Sequence, residues 1–248
     1  MSESRYIYGR HPVSEALRAR PRDVHKLFIS AGRADRVGDM VRVAERHGIP
    51  VVSVPRRGLE ELVGDVPHQG VVAAVVAFAY ADLDAMLALA RTRDAAPLVV
   101  ALDQVQDPHN LGSLVRSAFA LGAHGLFFPK DNSAEVTPTV VKASAGATAH
   151  LPIARVTNLR RALEELKEAG LWIVGAAAED GKPIETVDLT QATVLVVGSE
   201  GWGLRRLVAE SCDILATIPM PGNLGSLNAS VAGGIFLYEA ARQRRTAQ

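Results

Sequence analysis

Three short stretches of the chain carry side chains whose types and spacing could do chemistry. The first is Asp107-Pro108-His109-Asn110 with Arg116 six residues further on. The second is Leu195-Val-Val-Gly-Ser-Glu-Gly-Trp-Gly-Leu204, an apolar run that empties into Gly198, Gly201 and Gly203 with Glu200 between them. The third is Ile218-Pro-Met-Pro-Gly-Asn-Leu-Gly-Ser-Leu-Asn-Ala-Ser-Val-Ala232, a proline and glycine loop that crowds Ser226, Asn228 and Ser230 ahead of an apolar segment. Glycines after a strand allow tight turns and close approach of a ligand to backbone. Their spacing here is Gly-x-x-Gly-x-Gly, which differs from the dinucleotide fingerprint Gly-x-Gly-x-x-Gly and disfavours a nicotinamide enzyme. One residue among Ser226, Asn228 and Ser230 is needed to cap a helix, which leaves two spare. Loops offering backbone groups, serine and asparagine, with no acid set to hold magnesium phosphate, suit an adenosine-like ligand better than a nucleoside triphosphate.

The elements that must hold these loops follow from periodicity. Leu98–Leu102 is an apolar run short enough for a buried strand, and the turn chemistry of residues 107–110 ends it, with Asn110 as a good N-cap. Leu111, Leu114, Val115, Ala118 and Phe119 then recur at helical spacing, which predicts that Arg116 lies on or beside an apolar stripe. A guanidinium there needs an anionic or planar partner, and a nearby aspartate is the plain structural choice. A second strand runs to Phe128. Helices over 136–148 and 159–169, strands over 151–156, 171–177, 193–197 and 215–219, a helix after Leu204 and a last helix over 227–242 continue the alternation, with Thr157 or Asn158 capping the helix from Leu159. Strands alternating with helices predict a mostly parallel sheet covered on both faces, with ligands beyond the carboxyl ends of its strands.

The first 80 residues form a separate α/β unit: helices over 13–19, 34–47 and 59–63, and strands over 26–30, 51–54 and 70–78. Gly9-Arg10-His11-Pro12 and His68-Gln69-Gly70 read as loops within it. Residues 81–96 are alanine- and leucine-rich and form a helical connection, lacking the composition of a floppy tether. The expected division is therefore 1–80, 81–96 and 97–248.

Composition excludes more than it selects. At 48% apolar and 22% charged residues the chain is of ordinary globular type, and no apolar run reaches the roughly 20 residues of a membrane span. Its N-terminus lacks an apolar signal core, which predicts a cytoplasmic protein. The single cysteine, Cys212, rules out an internal disulfide, and no Cys-x-x-Cys or His-Glu-x-x-His pattern holds a zinc, so no metal is expected. Basic and acidic residues balance at 27 each, but residues 1–80 carry 12 against 9 and the remainder 15 against 18, so the N-terminal part is mildly basic.

Taken together and in order, Asp107-Pro-His-Asn-Leu-Gly through Arg116, Gly198-Ser-Glu-Gly-Trp-Gly, and Ile218-Pro-Met to Ser226-Leu-Asn-Ala-Ser-Val-Ala resemble the three motifs of the SpoU (TrmH-like) branch of the SPOUT RNA ribose methyltransferases. Tyr8-Gly-Arg-His-Pro-Val-Ser-Glu-Ala-Leu17 and His68-Gln-Gly-Val-Val72 further resemble the RNA-binding extension of the RlmB-like group, which methylates a guanosine ribose in bacterial large-subunit (23S) rRNA. The resemblance implies a parallel-sheet SPOUT domain with a C-terminal deep trefoil knot, preceded by a small α/β RNA-binding domain. It also implies S-adenosyl-L-methionine as cofactor, rRNA as partner and a homodimer with its active site at the subunit interface. Carried onto this sequence, the family's functional residues become Asn110, Arg116, Glu200, Ser226 and Asn228. Val197, Gly198, Glu200, Gly201, Ile218, Met220, Ser226, Leu227 and Asn228 are implied to surround the cofactor. Arg10, His11 and Arg18, with Arg116, are the expected RNA contacts, and Arg56 and Arg57 come behind them. Relatives often have a small or serine-rich segment where this chain has Asn223 and Leu224.

Methyl transfer from a sulfonium to a ribose hydroxyl is an in-line displacement that needs alignment and loss of the hydroxyl proton, with neither metal nor covalent intermediate. Cys212 is accordingly expected to be inert. Two roles are open to Arg116: general base, which is demanding for a guanidinium, or a cation that fixes phosphate and stabilises a developing alkoxide. Glu200 is expected to pair with Arg116 or to hold the glycine loop. The alternatives are methylation of a tRNA ribose or another rRNA site, and a non-catalytic RNA-binding assembly factor.

Overall fold

The computed structural model describes residues 5–31, 34–92, 95–222 and 225–246, so Asn223 and Leu224 of the third loop lie outside the described residues. In chain order the elements are β1 (Arg5–Tyr8), α1 (Arg10–Ala19), β2 (Val24–Ser30), α2 (Ala34–Arg46), β3 (Val51–Val54), α3 (Arg56–Val63), β4 (Val71–Val75), α4 (Leu83–Arg91), β5 (Leu98–Asp103), α5 (Pro108–Ala120), β6 (Gly125–Pro129), α6 (Pro138–Ala143), β7 (Ile153–Val156), α7 (Leu159–Glu168), β8 (Trp172–Ala177), β9 (Lys182–Pro183), β10 (Thr193–Gly198), α8 (Arg206–Ala209), β11 (Ile214–Thr217) and α9 (Ala229–Thr246). They fall into two compact units, one of Met1–Ala79 with Val136–His150 and one of Tyr80–Glu135 with Leu151–Gln248.

The first unit is a four-stranded sheet in the order β1-β4-β2-β3, with β2 and β3 parallel and both pairings of β4 antiparallel. Strand alternation divides its core: Ile7, Leu27, Ile29, Val71 and Ala73 pack with α1 and α2, while Tyr8, Val72 and Phe28 pack with Leu59 of α3. The two segments read as loops are joined here. Gly9 N donates to the Val71 carbonyl (3.2 Å), Arg10 N donates to Gln69 Oε1 (2.9 Å), and Gly70 N donates to His68 Nδ1 (3.1 Å). Arg10 and His11 open α1 instead of preceding it. The expected helix over 136–148 is shorter, because Ala145 and Gly146 both take positive φ and end it. Its segment is held to the first unit by Lys142 over the Tyr8 ring (5.2 Å), by Arg20 Nε donating to the Ala149 carbonyl (3.0 Å) and by a His150–Glu15 pair at 2.8 Å.

The second unit is a seven-stranded, wholly parallel sheet in the order β7-β6-β5-β10-β8-β11-β9. All residues of β5 and β10 are buried, as a sheet covered on both faces requires. Val194 and Val196 of β10 pack with Leu163 and Leu166 of α7 and Met86 of α4. The alternate residue Val197 faces α9, where Gly233 lets the helix close on both Val197 and Leu114 of α5; a side chain at Gly233 would strike the Leu114 methyl. Arg244, in the last turn of α9, donates to the carbonyls of Leu189 (2.9 Å), Gln191 (2.6 Å), Pro97 (3.2 Å) and Ala96. That clamp ties the C-terminal helix to the starts of β5 and β10. From β5 the chain winds outward to β6 and β7, and then crosses to the other side, so the order reverses between β5 and β10. Register puts Asp103 opposite Gly198, and the two strands end level at this switch point. Among the described residues no helix is long and apolar enough to cross a membrane.

Candidate active site

The three loops meet beyond the carboxyl ends of β5 and β10. Leaving β10, the glycine loop turns back at once: Ser199 N donates to the Gly203 carbonyl (3.1 Å) and Gly203 N to the Ser199 carbonyl (3.0 Å). Each glycine has its own reason. A Cβ at Gly198 would sit on the Gly203 backbone, and Gly201 and Gly203 take φ of 85° and 65°. The exit of the loop is fixed by Asp103, a fully buried carboxylate at the end of β5. Its two oxygens accept from the Arg205 backbone nitrogen and from Arg205 Nε, each at 2.8 Å. The pairing accounts for a buried charge, which would otherwise be costly.

Asp107, not Asn110, is the N-cap of α5. Its carboxylate accepts from His109 N (3.0 Å), and Pro108 occupies the first helical position, where its missing N–H costs nothing. Asn110 therefore sits inside the first turn, buried, with its side chain released from capping. It accepts from Asn228 Nδ2 at 3.0 Å, and the same Nδ2 also donates to Glu200 Oε1. The other end of the Asn228 amide caps α9: Oδ1 accepts from Ser230 N (2.9 Å), Ser230 Oγ (2.6 Å) and Val231 N (3.3 Å). Backbone N–H groups can only donate, so the cap fixes which end of the amide faces Asn110 and Glu200. Asn110, Glu200 and Asn228, one residue from each stretch, form a single hydrogen-bonded cluster.

Two cavities flank the glycine hairpin. One, of about 510 Å³, is lined by Val197, Gly198, Gly201, Ile218, Met220, Ser226 and Leu227, with Ala176–Ala178 and Phe236 behind them. Its size suits a nucleoside-sized ligand, and its walls are mostly aliphatic side chains and backbone. The other, of about 460 Å³, is more polar and is lined by Gln104, Gln106, Asp107, Asn110, Ser199, Glu200 and Ala229. Trp202 lines both.

Arg116 is not among these residues. It is exposed, and it makes no hydrogen bond or ion pair with any described residue. At roughly 100° per residue it points about 140° away from Leu111, outside the buried stripe of Leu111, Leu114, Val115 and Ala118. Phe119, expected in that stripe, is also exposed (45%). Glu200 accordingly pairs with Asn228 and not with Arg116. Arg10, His11 and Arg18 are exposed on α1, and Arg18 lies 3.9 Å from Glu15; Arg56 and Arg57 pair with Glu60 and Glu61 one helical turn on. Burial pushes the Cys212 thiol up to about 12, and it donates to the Val208 carbonyl, so it is no nucleophile at neutral pH. No group of three or more potential metal ligands occurs among the described residues. Sequence reasoning missed the Asp103–Arg205 clamp and the contribution of Gln104, Gln106 and Trp202. A charged residue ending a wholly apolar strand, and an indole between two glycines, were the available signals.

Comparison with known proteins places this geometry in a family. Residues 97–238 match the model of the SpoU rRNA Methylase family, and residues 6–81 match that of the RNA 2'-O ribose methyltransferase substrate-binding domain. The chain is 44% identical over 243 residues to YacO of Bacillus subtilis, which bears the name of a TrmH family tRNA/rRNA methyltransferase, with 96% of each chain covered. It is also 44% identical over 245 residues to the 23S rRNA (guanosine-2'-O-)-methyltransferase RlmB of Coxiella burnetii, with 98% of each chain covered. Among solved structures, the SpoU methyltransferase AviRb from Streptomyces viridochromogenes in complex with AdoMet superposes with a TM-score of 0.80 at 31% identity, covering 97% of this chain and 90% of that one. With the three motif loops gathered around two cavities at the switch point of a parallel sheet, and both parts of the sequence matched, the chain belongs to the SpoU rRNA methylase family of RNA methyltransferases.

Proposed function

We propose that the protein transfers a methyl group from S-adenosyl-L-methionine to the 2'-hydroxyl of a guanosine in 23S rRNA. The observation that carries this reading is the hydrogen-bonded Asn110–Asn228–Glu200 cluster, whose Asn110 and Glu200 line a polar cavity that shares the glycine hairpin with an aliphatic one. The near full-length relationship to the Coxiella enzyme and the match of residues 6–81 to a ribose methyltransferase substrate-binding model support the choice of RNA.

When bound, S-adenosyl-L-methionine supplies a methyl group on a sulfonium sulfur. The aliphatic cavity fits it: Val197, Ile218, Met220 and Leu227 offer apolar walls, the backbone at Gly198 and Gly201 allows close approach, and Ser226 is an exposed hydroxyl on its lining. Asn228 Nδ2 donates to one oxygen of Glu200 and to the carbonyl of Asn110, the two residues of the cluster that line the polar cavity. Among the described residues, one Glu200 oxygen and the Asn110 NH₂ group have no other partner and are available to accept from and donate to a ribose. These groups align the 2'-oxygen with the methyl carbon. Arg116 acts as a cation, holding a flanking phosphate and stabilising charge on the 2'-oxygen as its proton passes to water, while S-adenosylhomocysteine leaves as the neutral thioether.

Arg116 reaches that role through a homodimer. Val231, Ile235 and Tyr238 form an exposed stripe at helical spacing on α9, with Phe119 exposed on α5, and a second copy covering this apolar surface completes the active site. The C-terminal segment is expected to thread as the family's trefoil knot, and Ile218, Met220, Ser226 and Leu227 share a cavity with the glycine hairpin. Arg10, His11 and Arg18 contact RNA from the N-terminal unit.

Transfer of labelled methyl to unmodified large-subunit RNA tests the reading. Wild type labels the RNA, and Arg116→Ala lowers the rate by two orders of magnitude or more, by roughly 10²–10³ for loss of one group that stabilises developing charge. Unchanged labelling by Arg116→Ala removes the arginine from the mechanism. Absence of label with wild type, despite cofactor binding, favours an assembly factor.

A further inference from the structure

Trp202 is 92% exposed, the most exposed large apolar side chain among those described. Tryptophan is on average a highly buried residue, and an indole left in water at a site needs a reason. Nor does it sit on a loose loop. It lies in the hairpin that the two Ser199–Gly203 backbone bonds close, and neighbouring Glu200 is tied to Asn228. The ring is thus presented with its backbone already ordered, which lowers the entropy cost of using it. Its position joins the aliphatic cavity to the polar one, one residue beyond Gly201 and two beyond Glu200.

We propose that Trp202 is the stacking platform for the nucleobase of the nucleotide whose ribose is methylated, a reading that rests on the proposed RNA methyl transfer. A ribose brought to Asn110 and Glu200 carries its base within a few ångströms, and in a single-stranded or loop segment of RNA that base is free to splay out onto the protein. Unpaired bases are held by aromatic faces because every base has a π-face of its own, whatever its sequence. The hydrogen-bonding edge falls to Gln104 and Gln106, which line the same polar cavity. The adenine of the cofactor is the weaker occupant: the cavity proposed for it is already walled by Val197, Ile218, Met220 and Leu227, and an indole 92% exposed lends those walls little of its surface.

Steady-state methyl transfer to unmodified large-subunit RNA by Trp202→Ala and Trp202→Phe, in the full-length protein, tests this. Replacement by alanine is expected to raise KM for RNA roughly 10- to 100-fold, with KM for S-adenosylmethionine unchanged and phenylalanine restoring RNA affinity to within a few-fold of wild type. The chain has two tryptophans, so Trp172→Phe leaves Trp202 as the only indole reporter. Its fluorescence should be quenched by RNA in the presence of S-adenosylhomocysteine, and not by S-adenosylhomocysteine alone. An RNA KM within two-fold of wild type in Trp202→Ala overturns the proposal, as does quenching by S-adenosylhomocysteine alone or by raising protein concentration without RNA. If wild type does not methylate this RNA, the functional reading fails, and the RNA quenching titration still decides on Trp202.

Discussion

Asn228 does two jobs with one amide. Its carbonyl oxygen caps α9 and its nitrogen holds Asn110 and Glu200 together, so a capping role and a site role coexist in a residue where the sequence leaves them as rivals. The two can be separated by substitution. Asn228→Asp keeps an acceptor for the cap, loses the donor, and sets a second carboxylate beside Glu200. It is expected to leave the thermal midpoint within a few degrees of wild type while lowering methyl transfer at least ten-fold. Asn228→Ala loses both, and the missing cap alone costs about 1 kcal/mol. Thermal unfolding monitored beside the transfer assay checks the pair; equal loss of activity and of stability in the aspartate variant would reduce Asn228 to a helix cap.

At the scale of elements, the site is a matter of how closely two backbones approach. Gly198 ends β10 against the Gly203 backbone, so Gly198→Ala forces the hairpin open. The expected cost is about 1–3 kcal/mol, as for other overpacked sites, with weaker cofactor binding measured by calorimetry. A folded variant binding cofactor as wild type does would show that the hairpin does not shape the cavity. These elements were largely legible in the sequence, because long apolar strands and helices with strong periodicity declare themselves, and the glycine spacing marked the hairpin. What escaped did so for physical reasons. The cap of α5 was misassigned because Asp107-Pro108 and Asn110 are both good helix starts, and only the packed turn selects the aspartate. Arg116 and Phe119 fell outside the buried stripe because a stripe of four residues leaves its edges open to either reading. Strand β9, of two residues, is too short to show a period at all. The Asp103–Arg205 pair joins residues 102 apart and leaves no local pattern.

For the whole molecule, the exposed stripe of Val231, Ile235 and Tyr238 is the surface that a second copy is proposed to cover. Wild type is therefore expected to sediment as a dimer. Ile235→Glu with Tyr238→Glu should yield a folded monomer that has lost methyl transfer, because Arg116 alone in its own chain stands apart from the Asn110 cluster. An active monomer would contradict that assignment. Mapping the methylated nucleotide decides the substrate. Ribosomal and transfer RNA from cells lacking the modification would be incubated with the protein and labelled S-adenosylmethionine, then digested and sequenced by mass. Label is expected on the 2'-oxygen of one guanosine in 23S rRNA. Label on a tRNA ribose, or on a base, would contradict it.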